Sequence, residues 1–192
     1  MIPSHPTHRN LSDAQSFSRF FDETQTAVYR YLYGLTGGPE EDVNDLTAET
    51  YIRAWRSRSQ FHGDDTGALR WVFKIARHQF IDTYRRRKRQ GEPVSIERVD
   101  PPAPEANPEI RVVSSEERNT LWRLLHTLPD NSREIIVLRY MLEWSVKDIA
   151  AYQNKRETAV SMSIHRSLKI IQENWPEPMP FLESRSENHA SS

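Results

Sequence analysis

The residues with the clearest chemical potential lie along one face of a single expected helix. Spaced three or four positions apart, they are aromatic at one end and basic at the other: Trp71, Lys74, His78, Asp82, Arg85 and Arg89. Residues 53–89 hold eleven basic and three acidic side chains, a net charge of +8. This local excess favours a polyanionic partner, although the whole chain has a net charge of only −1.

A second candidate surface is acidic. Residues 13–49 hold eight acidic and two basic side chains, a net charge of −6, and Asp42, Asp45 and Glu49 share part of one expected helix. Because Arg53 and Arg56 follow closely, a protein-binding face is favoured over a carboxylate cluster. The sign of the net charge alternates again along the chain, with a net charge of −5 over residues 92–117 and of +3 over residues 118–173. Such segregation predicts separate partners for separate faces, with ordinary solvated helix faces as the alternative.

The composition argues against an enzyme. The absence of cysteine excludes a disulfide scaffold, a thiolate zinc site and a cysteine nucleophile. There is no His-x-x-x-His spacing and no glycine-rich phosphate loop, and three of the seven histidines (His5, His8 and His189) lie near the termini. We therefore predict no catalytic residues, no metal and no cofactor. Without a long apolar run or a secretory signal, we expect a cytoplasmic protein with no membrane insertion.

The apolar spacing predicts an all-α fold of two small helical domains. We expect disordered tails over residues 1–12 and 176–192, domains over residues 13–90 and 115–175, and a flexible, Pro-rich, acidic linker over residues 91–114. In the first domain, Gly37 ends one helix, a second runs over residues 40–58 with Trp55 facing inward, and a third over residues 67–89.

The second domain has the pattern of a helix-turn-helix. Leu128-Pro129 stops an apolar helix, and Ser145 can cap a short helix that ends near Tyr152. Asn154 stands in the turn, where a left-handed backbone is often needed, and a last helix follows over residues 156–174. Taken alone, this pattern leaves DNA binding and a plain helical hairpin equally open.

Several short motifs occur in a recognisable order. They are Asp45-Leu46, Glu49-Thr50, Arg53-Ala54-Trp55, Phe61-His62-Gly63-Asp64, the basic run over residues 85–89, Leu128-Pro129, Arg133-Glu134, Leu138-Arg139-Tyr140, the segment of residues 145–150, and His165-Arg166. In order and spacing, the chain resembles small alternative sigma factors of the extracytoplasmic-function type over about residues 13–173. Such proteins bind core RNA polymerase and confer promoter recognition, so the resemblance implies core polymerase and promoter DNA as partners. It also implies an anti-sigma or other regulatory protein.

The resemblance implies three sets of site residues. The polymerase-binding set on the second helix is Asp45, Leu46, Glu49, Ile52 and Arg53, with a core role as the alternative for Leu46. In the set for the −10 promoter element, aromatic groups would hold a melted base and cations would contact phosphate. This set is Phe61, His62, Asp64, Trp71, Lys74, His78, Arg85, Arg86 and Arg89. The alternatives are a core role for Trp71 and a plain surface histidine for His78. The set for the −35 element is Arg156, Thr158, Ser161, Met162, Ser163, His165 and Arg166.

Some positions depart from the family pattern. The family often has glutamine at Ala48 and asparagine at His78, and it usually has Lys or Arg at Ser161 and Ser163. The turn around Asn154 also lacks the usual Gly-hydrophobic-Ser continuation. Two alternatives to a sigma factor therefore stay open. One is a sigma-like helix-turn-helix regulator that binds DNA without polymerase, and the other is a degenerate sigma-like module that acts mainly as a protein partner.

Overall fold

The computed structural model describes residues 8–90 and 115–176. In chain order the elements are β1 (His8–Arg9), α1 (Ala14–Thr36), α2 (Glu40–Ser57), a 3-10 turn (Arg58–Gln60), β2 (Gly63–Asp64), α3 (Asp65–Gln90), α4 (Ser115–Thr127), α5 (Asp130–Ile136), a π-helical turn (Val137–Met141), α6 (Val146–Gln153) and α7 (Glu157–Glu173). The all-α prediction with two helical domains is confirmed. The predicted linker, residues 91–114, lies outside the described residues.

The first domain is a bundle of α1, α2 and α3, and its helix ends follow local capping rules. The carboxylate of Asp13 accepts the amide of Ser16 at 2.8 Å and so caps α1. Gly37 ends the helix with φ of 56°, as predicted, and donates its amide to the carbonyl of Tyr33. The hydroxyls of Thr24 and Tyr51, 2.8 Å apart, join α1 to α2 inside the core.

The predicted N-terminal tail is partly ordered. The structure places His8–Arg9 in a strand antiparallel to Gly63–Asp64, and Leu11 is completely buried. The disorder prediction for residues 1–12 is therefore wrong for residues 8–12, because one leucine in a polar stretch finds a site in the core. Residues 1–7 and 177–192 lie outside the described part of the chain.

The second domain contains the predicted helix-turn-helix, formed by α6 and α7. Ser145 caps α6 by accepting the amide of Asp148 at 3.1 Å, and Asn154 has the left-handed φ of 53° in the turn. Both predictions are confirmed. Val160 and Ile164 are buried and hold α7 against the rest of the domain. No helix in residues 8–90 or 115–176 is long and apolar enough to cross a membrane.

The two domains pack directly against each other. Gly34 on α1 lies so close to the π-helical turn that an added Cβ would stand 2.7 Å from both γ-carbons of Val137. The rings of Tyr33 on α1 and Trp122 on α4 meet edge to face, with centroids 5.0 Å apart. Since side chains from both domains belong to one buried apolar cluster, the described residues form one continuous core.

Candidate nucleic-acid and partner interfaces

The outer face of α2 presents both charged and apolar groups to solvent. Asp45 and Arg53 are exposed, and Glu49 accepts a hydrogen bond from Nε of Arg53 at 3.1 Å. Ile52 stands among these charges with 44% of its surface exposed. An exposed apolar side chain framed by charges on a regular helix is suited to contact another protein.

Two residues of α2 differ from their expected positions. Leu46, placed in the polymerase-binding set, is only 8% exposed and packs in the core, so it supports the helix instead of presenting a contact surface. Trp55, expected to face inward, is 37% exposed. Because it lies in the last turn of α2, its ring is covered only in part, by the Phe17 ring at 5.1 Å and by the guanidinium of Arg58 at 3.5 Å.

Residues 61–64, here called the reading loop, connect the end of α2 to the start of α3. The ring of Phe61 lies over Trp71, with centroids 5.2 Å apart and planes inclined by 38°. The carboxylate of Asp64 accepts the amide of Gly67 at 2.6 Å and so caps α3. His62 points to solvent. The loop thus combines a half-buried aromatic pair with an exposed polar side chain, a combination that can receive an unstacked base.

The basic face of α3 continues from this aromatic pair. Lys74, His78, Arg85, Arg86 and Arg89 are all exposed, whereas Trp71 is half-buried at the loop end. Nε of Arg89 donates to the carbonyl of Arg85 one turn earlier, at 3.3 Å. The structure therefore brings the predicted −10 residues together on one continuous surface that runs from aromatic to cationic.

The recognition helix α7 presents most of its predicted residues outward. The exposed ones are Arg156, Thr158, Ser161, Met162, His165 and Arg166, whereas Ser163 is half-buried. Met162 is 54% exposed, so the centre of this face is apolar. Arg156 and Arg166 stand at the two ends of this face, and the exposed side chains of the predicted set between them are two hydroxyls, Met162 and His165. Few groups on the face can therefore make bidentate contacts with a base edge.

A buried polar cluster that the sequence did not predict joins the two domains. The carboxylate of Glu134 on α5 is almost fully buried and accepts hydrogen bonds from Tyr31 at 2.5 Å and from Nε of Arg77 at 3.0 Å, both in the first domain. From its own domain it accepts Nε2 of Gln153 at 2.9 Å and the hydroxyl of Tyr152 at 3.4 Å. Every carboxylate oxygen is therefore satisfied, which is the condition for a buried charge to be tolerated.

The tyrosines of this cluster are held in the neutral form. Burial raises the pKa of Tyr31 well above its ordinary value, and the nearby Tyr152 and Glu134 raise it further. Burial likewise raises the pKa of Tyr152, reinforced by Glu134. The hydroxyl of Tyr152 also lies 3.2 Å from the carbonyl of Phe73 on α3, so it contacts both domains. Both tyrosines therefore remain hydrogen-bond donors throughout the neutral pH range.

Arg133, next to Glu134, makes a second polar link. Its Nη1 donates to the carbonyl of Leu35 near the end of α1 at 3.0 Å, and its Nη2 donates to the carbonyl of Leu128 at 3.3 Å. The sequence showed Arg133-Glu134 only as part of a motif. The partners of this pair in the first domain lie between 57 and 103 residues away along the chain, so no local pattern could identify them.

His126 should make the stability of the fold depend on pH. Its Nε2 is buried and finds no hydrogen-bond partner among residues 8–90 and 115–176, and burial, reinforced by Arg133, lowers the pKa of His126 from 6.5 to about 4. The imidazole of His126 therefore takes up a proton more readily in the unfolded chain than in the folded protein. The contribution of neutral His126 to stability is complete above pH 6.5 and is lost as the pH falls toward 4. Between pH 7 and pH 5 we expect the free energy of unfolding to fall by about 2 kcal/mol.

Urea unfolding at pH 7 and pH 5 measures this effect. His126→Gln is the matched control, because it has no titrating group and its stability should fall by about 2 kcal/mol less over the same interval. Equal losses in the two proteins would show that His126 does not carry the pH dependence.

The described residues offer no site for a metal ion. No group of three or more His, Asp or Glu side chains within residues 8–90 and 115–176 has the geometry to hold one. The features that stand out are therefore surfaces: one on α2, one along the reading loop and α3, and one on α7.

Comparison with protein families identifies both domains. The sigma-70 region 2 family matches residues 20–90, and the sigma-70 region 4 family matches residues 118–171. The first covers the bundle of α1, α2 and α3, and the second covers the domain that contains the helix-turn-helix.

Individual proteins agree with this result. The chain is 30% identical over 167 residues to the ECF RNA polymerase sigma factor BldN of Streptomyces coelicolor, covering 86% of this chain and 62% of BldN. It is 33% identical over 150 residues to the ECF RNA polymerase sigma factor SigE of Mycolicibacterium smegmatis, covering 76% of this chain and 56% of SigE. The chain thus spans about three-fifths of the length of these two relatives.

A solved structure shares the fold. The sigma factor RpoE of Bartonella quintana, crystallised with the anti-sigma factor NepR, superposes with a TM-score of 0.65 at 20% sequence identity. The match covers 83% of this chain and 96% of RpoE. Since both sigma-70 regions are present in the right order, and the relatives are ECF factors, the chain belongs to the sigma-70 superfamily as a member of its extracytoplasmic-function type.

Proposed function

We propose that this protein is an alternative sigma factor that binds core RNA polymerase and directs transcription initiation at specific promoters. One observation supports this proposal most directly. The chain combines an exposed α2 face, on which acids surround Ile52, with two separate surfaces suited to DNA. A DNA-binding regulator that acts alone needs no such α2 face. The proposed role is regulatory, not enzymatic, and its place is the cytoplasm, where polymerase and promoters meet.

In this proposal each surface has one task. Asp45, Glu49, Ile52 and Arg53 contact core polymerase. The reading loop and α3 open and read the −10 element, with the aromatic pair receiving a base and the arginines contacting phosphate. The exposed face of α7 enters the major groove of the −35 element, where Arg156 and Arg166 supply the cations that Ser161 and Ser163 lack.

A regulatory protein partner is also part of the proposal. RpoE of Bartonella quintana is seen with an anti-sigma factor, and a similar partner would silence this chain by covering its polymerase-binding or DNA-binding surfaces. The serines in the middle of α7 are compatible with a weak −35 contact, so a role mainly as a protein partner is the second candidate.

The deciding experiment measures binding of the full-length protein to core RNA polymerase. The Asp45→Ala/Glu49→Ala variant should bind core at least about tenfold more weakly, because it loses two carboxylates from the centre of the proposed contact. The control variant Asp22→Ala/Glu173→Ala removes two exposed acids elsewhere and should bind within about twofold of the intact protein. No binding by the folded, inhibitor-free intact protein would overturn the proposal.

The arginines of α3 give a separate test through salt. Replacing Arg85 and Arg86 by alanine should weaken the promoter complex and flatten its salt dependence, because each phosphate contact contributes roughly 0.9 to the slope of log affinity against log salt. The slope should fall by up to about 1.8 in filter-binding or anisotropy titrations of the holoenzyme. Arg19→Ala, an exposed arginine on α1, is the control and should leave the slope unchanged. An unaltered slope in the double variant would remove the phosphate role from these residues.

A further inference from the structure

Residues 8–13, here called the N-terminal strap, connect the start of α1 to the reading loop. The strand His8–Arg9 pairs antiparallel with Gly63–Asp64, with His8 opposite Asp64 and Arg9 opposite Gly63. Gly63 and Asp64 form the second half of the reading loop, next to the Phe61 ring. The strap therefore holds, through its backbone, the same segment that is proposed to receive a base.

The strap is fixed to the body of the protein behind this strand. Leu11 is fully buried, so it anchors the strap in the core of the first domain. The carbonyl of Ser12 accepts Nε of Arg58 at 3.1 Å, which ties the strap to the turn just before the reading loop. Asp13 then caps α1. Because residues 11–13 are anchored to the first domain, the strap can restrain the reading loop and does not simply move with it.

The reading loop has little room to be placed differently. A Cβ added at Gly63 would lie 2.9 Å from the ring of Phe61, so the backbone of the paired strand lies directly against this ring. The Asp64 cap fixes the other end of the loop on α3. A loop that is ordered before binding loses less conformational entropy when it takes up a base, which raises both affinity and selectivity.

We propose that the N-terminal strap is a positioning segment for base recognition at the −10 element. By adding a strand to the reading loop, it holds the Phe61–Trp71 pair and His62 in the geometry that receives the base. The strap acts through its backbone pairing and not through the charge of Arg9. This inference rests on the proposed function of the reading loop, and it assigns a role to a segment outside the region 2 match, which begins at residue 20.

The test uses full-length protein assembled with core polymerase. The probe is a labelled single-stranded oligonucleotide, selected from a random library by the intact holoenzyme, together with a copy that carries one base change. Two variants are compared with the intact protein. One lacks residues 2–9 and so loses β1 but keeps Leu11. The other, His8→Thr/Arg9→Thr, keeps a strand-forming backbone and removes the arginine charge.

We expect the deletion to weaken oligonucleotide binding by about tenfold, equivalent to about 1.4 kcal/mol, and to reduce discrimination against the changed base. Its affinity for core should stay within about twofold of the intact protein, and the double-threonine variant should behave like the intact protein. Unchanged affinity and discrimination in the deletion would overturn the proposal. An equal loss of core binding in the deletion would also overturn it, because that result would indicate a general structural role. A double-threonine variant that binds as weakly as the deletion would overturn it as well. If the intact holoenzyme selects no oligonucleotide, the proposed function itself fails.

Discussion

Glu134→Ala should lower the free energy of unfolding by about 3–5 kcal/mol. The carboxylate of Glu134 is only 2% exposed and accepts hydrogen bonds from Tyr31, Arg77, Tyr152 and Gln153. Its removal takes the carboxylate acceptor from Tyr31 and Gln153, whereas Tyr152 keeps the carbonyl of Phe73 and Arg77 keeps the side chain of Asn131. The loss therefore includes the cost of the unpaired partners as well as the hydrogen bonds themselves.

Chemical denaturation of full-length protein measures this loss. Lys169→Ala is the matched control, since it breaks the exposed Lys169–Glu173 pair at 3.7 Å and should change stability by less than about 1 kcal/mol. Glu134→Gln preserves the shape of the side chain, but one of its two oxygen positions becomes a donor that faces other donors. The stability of this variant should therefore lie between that of the intact protein and that of Glu134→Ala. A loss no larger than that of Lys169→Ala would show that the cluster does not stabilise the packing of the two domains.

Gly37→Ala should destabilise the protein by about 2–5 kcal/mol, for two separable reasons. Gly37 ends α1 with φ of 56°, a conformation that costs an L-residue about 1–2 kcal/mol. A Cβ there would also lie 2.3 Å from Nε2 of His126, which is buried on α4. Forcing an extra carbon into a packed site costs about 1–3 kcal/mol.

A double-mutant cycle separates the two causes. In a His126→Ala background the imidazole is gone, so Gly37→Ala should cost only the backbone term of about 1–2 kcal/mol. The difference between the two measurements is then the steric contact between the end of α1 and α4. Equal costs in both backgrounds would show that the whole effect is backbone strain and that the contact contributes nothing.

Features that depend on nearby residues were predictable from the sequence. Gly37, Ser145 and Asn154 were assigned to helix ends and turns, and the structure confirms each, because capping is decided within about four residues. The exposed faces of α2, α3 and α7 followed from helical spacing in the same way. Their assignment to polymerase and promoter stays a prediction, because it depends on the resemblance.

Features that depend on distant residues were not predictable in this way. Leu11 is an isolated apolar residue in a polar stretch, and only the core of the first domain shows why it is buried. Leu46 and Trp55 share the period of the buried stripe, but one faces the core and the other lies at the edge of the bundle. Glu134 pairs with Tyr31 across 103 residues. Such contacts are set by the packing of elements that are distant along the chain, for which the sequence carries no short-range pattern.

The direct packing of the two domains also determines how the molecule unfolds. Tyr31, Val137 and the Glu134 carboxylate are buried against elements of the other domain, so a chain cut between residues 90 and 115 would expose them on both fragments. Neither fragment would carry half of the intact stability. We therefore expect the two sigma-70 regions to unfold as a single cooperative unit, so that heating the intact chain gives one calorimetric transition in which both regions melt together.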